Sequence, residues 1–184
     1  MGAPGDGVIT KVFRARAAGP VLRAVYRAAE VEPVVPARLI ASWDGWPERM
    51  EPPLDPVTGR ASLAQLGGLL MQPVRACERA PELVVFHLAL RNAPHDRRLS
   101  DEEWAQVCDA VVDRTGIAPA DDLAGCRWVA VRAGDELVHL VATLAREDGR
   151  EPKLWNSYYR LREVANDYER EFGLRPTGRG ARSA

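Results

Sequence analysis

Three histidines are all the chain has, and two of them fall where a strand would present them. In residues 134–144 (GDELVHLVATL) apolar residues recur at every second position, the pattern of a strand whose side chains point to opposite faces in turn. Val138, Leu140, Ala142 and Leu144 form a core face, whereas Asp135, Leu137, His139, Val141 and Thr143 share the other. In residues 82–91, Val84, Phe86, Leu88 and Leu90 again make a core face, and Val85, His87, Ala89 and Arg91 line the opposite one. Imidazoles so presented, with the Asp135 carboxylate, are candidate ligands for a divalent cation such as Mg or Mn. A catalytic cation ordinarily takes three protein ligands, or one or two carboxylates plus substrate phosphates, so His139 alone binds only weakly and needs His87 and Asp135 beside it. Either histidine equally suits a hydrogen-bonded, half-buried place with no metal. His95, next to Asp96, Arg97 and Arg98 in a polar stretch, reads as solvated.

The elements that must position these residues follow from the same patterning. Residues 8–13 have strand composition, and Gly19-Pro20 opens a helix on which Leu22, Val25, Tyr26 and Ala29 form an apolar stripe, with Pro33 and Pro36 ending it. A short strand is expected at 39–43. The proline-rich run 46–59 reads as irregular loop, and 62–80 as a helix that bends or breaks near Pro73. Ser100 and Glu103 have the spacing of a capping box at the start of a helix with Trp104, Val107, Cys108 and Val111 on its buried side, stopped at Gly116. Strands at 127–132 and 137–145 are joined by a turn at 133–136, and a final helix spans 156–172. The expected fold class is α+β, a mainly antiparallel sheet flanked by helices.

At 184 residues and 46% hydrophobic, the chain suits one domain with a substantial core. Its net charge of -1 supplies no global attraction to nucleic acid, so DNA binding must rest on local basic patches. Those candidates are Lys11, Arg14, Arg16, Arg23 and Arg27, then Arg91, Arg97 and Arg98, with Trp43, Trp46 or Trp155 available to stack bases and Tyr158 and Tyr159 divided between packing and solvent. Cys77, Cys108 and Cys126 show no paired spacing and read as reduced thiols of a cytoplasmic protein. No run approaches the ~18 apolar residues of a membrane span.

Residues 134–144, with 146–150 (REDGR) and 156–174 (NSYYRLREVANDYEREFGL), resemble the mobilization relaxase family, the nicking enzymes that start conjugative plasmid transfer. Residues 39–45 (LIASWDG), 72–76 (QPVRA), 86–94 (FHLALRNAP), 99–104 (LSDEEW) and 127–132 (RWVAVR) are similar to successive blocks of the actinobacterial-type relaxases, in the same order. The likeness covers residues 8–177 and implies a relaxase-like domain there, after a disordered start at 1–7 and before a short tail at 178–184. Relatives commonly continue into a long charged C-terminal region, so a catalytic domain alone is expected.

The resemblance implies a chemistry. A tyrosine attacks a DNA phosphodiester and keeps a phosphotyrosyl link, histidines hold a metal that polarises the phosphate, and a basic, partly aromatic groove positions the single strand. In the family, a His-x-His pair and a third, upstream histidine form the cage. Here His139 remains while Leu137 and Ala133 stand at the other places, and His87 matches a further family histidine, to be expected beside His139 across the sheet. The nucleophile belongs in residues 21–26 (VLRAVY), where Ala24 aligns with it; a shift of register would offer Tyr26, which the helical spacing puts on the apolar stripe. The implied partners are single-stranded DNA at a transfer origin and other relaxosome proteins, with no membrane. Three readings stay open: a single-stranded DNA-binding domain with nicking lost or impaired, a divergent active nickase using Tyr26, and a vestigial or protein-interaction module.

Overall fold

A computed structural model describes residues 9–31, 36–154 and 156–176. The expected disordered start, the tail, Pro33 and Trp155 lie outside the described residues. The order is β1 (Ile9–Ala15), α1 (Ala18–Val31), β2 (Arg38–Ser42), α2 (Pro47–Met50), α3 (Ala64–Ala76), β3 (Val85–Arg91), α4 (Asp101–Arg114), β4 (Cys126–Gly134), β5 (Leu137–Arg146) and α5 (Ser157–Glu171). The strands form a five-stranded sheet in the order β1-β3-β5-β4-β2. Every pairing is antiparallel, so the fold is α+β, with helices on both faces of the sheet.

Alternation assigns the faces, since residues paired across strands point the same way. Phe86, Leu88 and Leu90 of β3, Val138, Leu140, Ala142 and Leu144 of β5, and Trp128, Ala130 and Arg132 of β4 face α4 and α5, with Trp104 of α4 fully buried among the core residues. The other face carries His87, His139, Val141, Thr143, Val129 and Val131. It is as much a core as the first, because α1 and α3 cover β4 and β5, and Val129, Val131, Val141 and Thr143 are all fully buried. Gly67 of α3 comes against the backbone of Gly19 in α1, which lets these helices pack side by side.

Helix α3 shows how the sequence handles its own fault. Pro73 lies inside it and cannot donate a proton to the carbonyl of Leu69. Arg127 of β4 supplies that proton instead, from Nη1 at 2.8 Å, and Thr143 Oγ1 donates to the next carbonyl, of Leu70, at 3.0 Å. The helix therefore continues to Ala76 and is tied to the sheet at the residue where a break is expected. In the run 46–59, expected to be wholly irregular, Pro47 instead begins the one-turn helix α2, at a position where its missing N–H costs nothing. The capping box of α4 forms as expected, with Ser100 Oγ accepting from the Glu103 amide at 3.1 Å and a Glu103 carboxylate oxygen accepting from the Ser100 amide at 2.9 Å.

The β4–β5 hairpin turns tighter than its sequence suggests. Ala133 and Gly134 stay in β4, a register shift pairs Gly134 with Leu137, and only Asp135 and Glu136 make the turn. Arg132, 7% exposed, clamps it. Its guanidinium donates to the carbonyls of Gly134 and Asp135 and, at 2.6 Å, to Asp101 on α4.

Candidate functional site

The two strand histidines meet. His87 pairs with Val141 and His139 with Ala89, so the imidazoles are diagonal neighbours on β3 and β5, and the small Ala89 beside them leaves room for the rings. His87 Nε2 lies 2.9 Å from His139 Nδ1. One ring must donate and the other accept, which requires at least one neutral ring. Burial lowers the pKa of His87, and burial, then the charges of His87 and Arg91, push that of His139 down to about 4. Both are neutral at physiological pH, and the contact is a donor–acceptor hydrogen bond.

The aromatic surface extends outward onto the edge strand. Phe13 of β1, paired with His87, stacks on its ring at 5.4 Å between centroids and 25° between planes, and the two imidazole centroids are 5.0 Å apart. Phe13 is 40% exposed. Lys11 Nζ lies 4.8 Å above the Phe13 centroid, and exposed Arg91, with no carboxylate partner among the described residues, follows Ala89 on the same face of β3. The result is a row of three rings open at one end, with Lys11 over the outer ring and Arg91 beside the row on the same side.

The same two imidazoles do not complete a metal site. To share an ion, both facing nitrogens must present lone pairs, which gives up the bond that joins them. Asp135 is not beside them: the tight turn carries its carboxylate to Arg98, at 3.0 Å. Leu137 and Ala133, where the resemblance leads one to expect histidines, are apolar, and among the described residues no group of three or more His, Cys, Asp or Glu side chains is placed to hold an ion.

Tyr26 stands elsewhere on this face. It lines a pocket of ≈ 540 Å³ between α1, the start of β2 and the loop after α2, together with Arg23, Arg27 and Glu51, and neither histidine lines that pocket. Tyr26 is 7% exposed, and its hydroxyl is sealed from solvent with no hydrogen-bond partner. Burial, then the Glu51 carboxylate, drive its pKa far above the ordinary 10.0, the opposite of what an activated phenolate nucleophile needs. Glu51 is itself held in place, with Oε2 accepting from the Leu39 amide of β2 at 2.7 Å.

The candidate basic residues separate. Arg16 pairs with Glu82, Arg97 grips Glu103 through two nitrogens, and Arg98 pairs with Asp135. Arg14 stacks over Phe86, on the face opposite the histidines. Arg91 stays with the ring row, and Arg23 and Arg27 with the Tyr26 pocket. Trp43 packs against the core under Arg127, Trp46 is exposed beneath Arg49, and His95 is exposed as expected. Tyr158 and Tyr159, expected to divide between packing and solvent, are both exposed.

Phe13 and Glu51 are the site residues that sequence reasoning misses. The neighbour of Phe13 depends on a strand pairing that its own segment does not encode, and Glu51 sits in a proline-rich loop with no periodicity to orient it. No family model, curated protein or solved structure matches the chain. Among the described residues, no helix is long and apolar enough to cross a membrane.

Proposed function

We propose that the chain is a relaxase-type domain that binds single-stranded DNA in the cytoplasm, at a transfer origin and alongside relaxosome proteins, and that its nicking chemistry is lost. One observation carries this reading: the row Phe13, His87, His139, with Lys11 over its outer ring and Arg91 beside it. Successive bases stack on exposed aromatic faces while cations meet the phosphates between them, and this mode needs no base-specific contact. Neutral imidazoles present uncharged aromatic faces, which suits stacking. The order of sequence blocks along nearly the whole chain supports the family assignment. Tyr26, protonated and placed in a different pocket, supports the loss of nicking, as does the want of a third metal ligand beside the pair.

The test is fluorescence anisotropy with a labelled single-stranded oligonucleotide, read over a range of salt concentrations. Binding that weakens linearly on a log–log plot is expected, with a small slope set by the few cations at the row. Incubation with origin DNA and Mn should give no covalent adduct on a denaturing gel. An adduct would establish the active nickase instead, and salt-independent absence of binding would leave an interaction module.

A further inference from the structure

The Tyr26 pocket is built like a ligand site and is independent of the ring row. Its walls are apolar, from Ala29, Ala37, Pro52, Ala61 and Leu63, and a pocket of ≈ 540 Å³ has the size of a small-molecule site. Its charged side chains are Glu51, Arg23, Arg27 and Arg60. Glu51 offers a carboxylate fixed through Oε2 on the Leu39 amide, which leaves Oε1 and a further lone pair of Oε2 to accept. Arg23 and Arg27, one turn apart on exposed positions of α1, have no carboxylate partner among the described residues. Tyr26 forms part of the pocket's inner wall, with its hydroxyl sealed from solvent.

From this geometry we infer that the pocket binds a guanine nucleotide, with the base edge on Glu51 and the phosphate on Arg23 and Arg27. An ionised carboxylate only accepts, so it selects a base edge with two adjacent N–H donors; guanine presents N1–H and the N2 amino group side by side, whereas adenine and cytosine present a single amino group next to an acceptor. The guanidinium pair then takes the phosphate. The guanine can come from a free nucleotide or from a strand.

Calorimetric titration of guanosine monophosphate into the full chain tests this directly, with adenosine monophosphate and inorganic phosphate as competitors. Guanosine monophosphate should bind at least about tenfold more tightly than either, as expected for charge-assisted hydrogen bonds to one base edge. Glu51→Gln keeps an acceptor for Leu39 but puts an amide N–H donor in the pocket, and should weaken binding about tenfold or more while retaining the wild-type circular dichroism spectrum. Equal affinity for both nucleotides, binding carried by phosphate alone, or affinity unmoved by Glu51→Gln overturns the assignment. A single-guanine oligonucleotide that displaces the nucleotide identifies a strand as the source, and one that fails to do so identifies the free nucleotide. Phe13→Ala should leave nucleotide binding unchanged, so failure at this pocket and failure of DNA binding at the ring row are separately visible.

Discussion

Two polar places on one face of the sheet differ in how their hydrogen-bonding capacity is met. At β3 and β5, His87 and His139 satisfy each other at 2.9 Å, and Phe13 stacks on His87. At the α1 pocket, Glu51 has spare acceptor capacity, and Arg23 and Arg27 make no ion pair among the described residues. The first is complete within the chain and needs nothing but a surface ligand laid across it. The second leaves charged groups unmatched among the described residues, which is the capacity that the inferred nucleotide would fill.

The contrast can be broken most strongly at the satisfied pair. His139→Ala removes a half-buried ring, leaves His87 Nε2 unpaired and should cost about 2–4 kcal/mol in urea denaturation. A loss near zero would mean that the pair contributes nothing to folding.

Acid should act on the same bond with a predictable sign. His139 titrates near 4 in the folded chain against an ordinary 6.5, so between these values the unfolded chain binds a proton that the folded chain refuses. Stability is therefore full above 6.5 and falls as pH drops through that window, by roughly 3 kcal/mol if His139 alone is counted, with His87 adding in the same direction. Urea midpoints measured across the window for the wild type and for His139→Gln should diverge at neutral pH and converge toward pH 4. Parallel curves would contradict the assignment.

Smaller effects sharpen the other side. Tyr26→Phe deletes a hydroxyl that has no partner and should leave stability unchanged or raise it by up to about 1 kcal/mol; a clear loss would show that the hydroxyl is satisfied in the free protein. Excess Mn should leave the thermal midpoint where it is, because two mutually bonded imidazoles without a third ligand bind too weakly to stabilise by mass action. A rise of several degrees, abolished by His87→Ala, would restore the metal reading.

Much of the fold is legible in the chain. Alternation marks β3 and β5 and puts both histidines on one face; Ser100 and Glu103 announce α4; and the charged, glycine-containing stretch at 133–136 announces the hairpin. What escapes depends on contacts between distant segments. The continuation of α3 through Pro73 rests on Arg127 of β4, the place of Asp135 on a register shift at Gly134, and the exposure of the ring row on which strand lies beside β3. The second core face is hidden for the same reason: nothing local in residues 137–146 says that α1 and α3 will cover Val141 and Thr143. Of the candidate site, the meeting of the histidines is readable from strand faces, and the setting of Tyr26 only in part, because its stripe predicts burial but not the carboxylate beside it.

The most direct test of the central claim compares wild type and Phe13→Ala for affinity to a short single-stranded oligonucleotide at low salt. Loss of one stacking face worth about 1–3 kcal/mol predicts a drop of about fivefold or more, measured at a temperature where both proteins are folded. Equal affinity of the two proteins would contradict a single-strand platform at the Phe13–His87–His139 row.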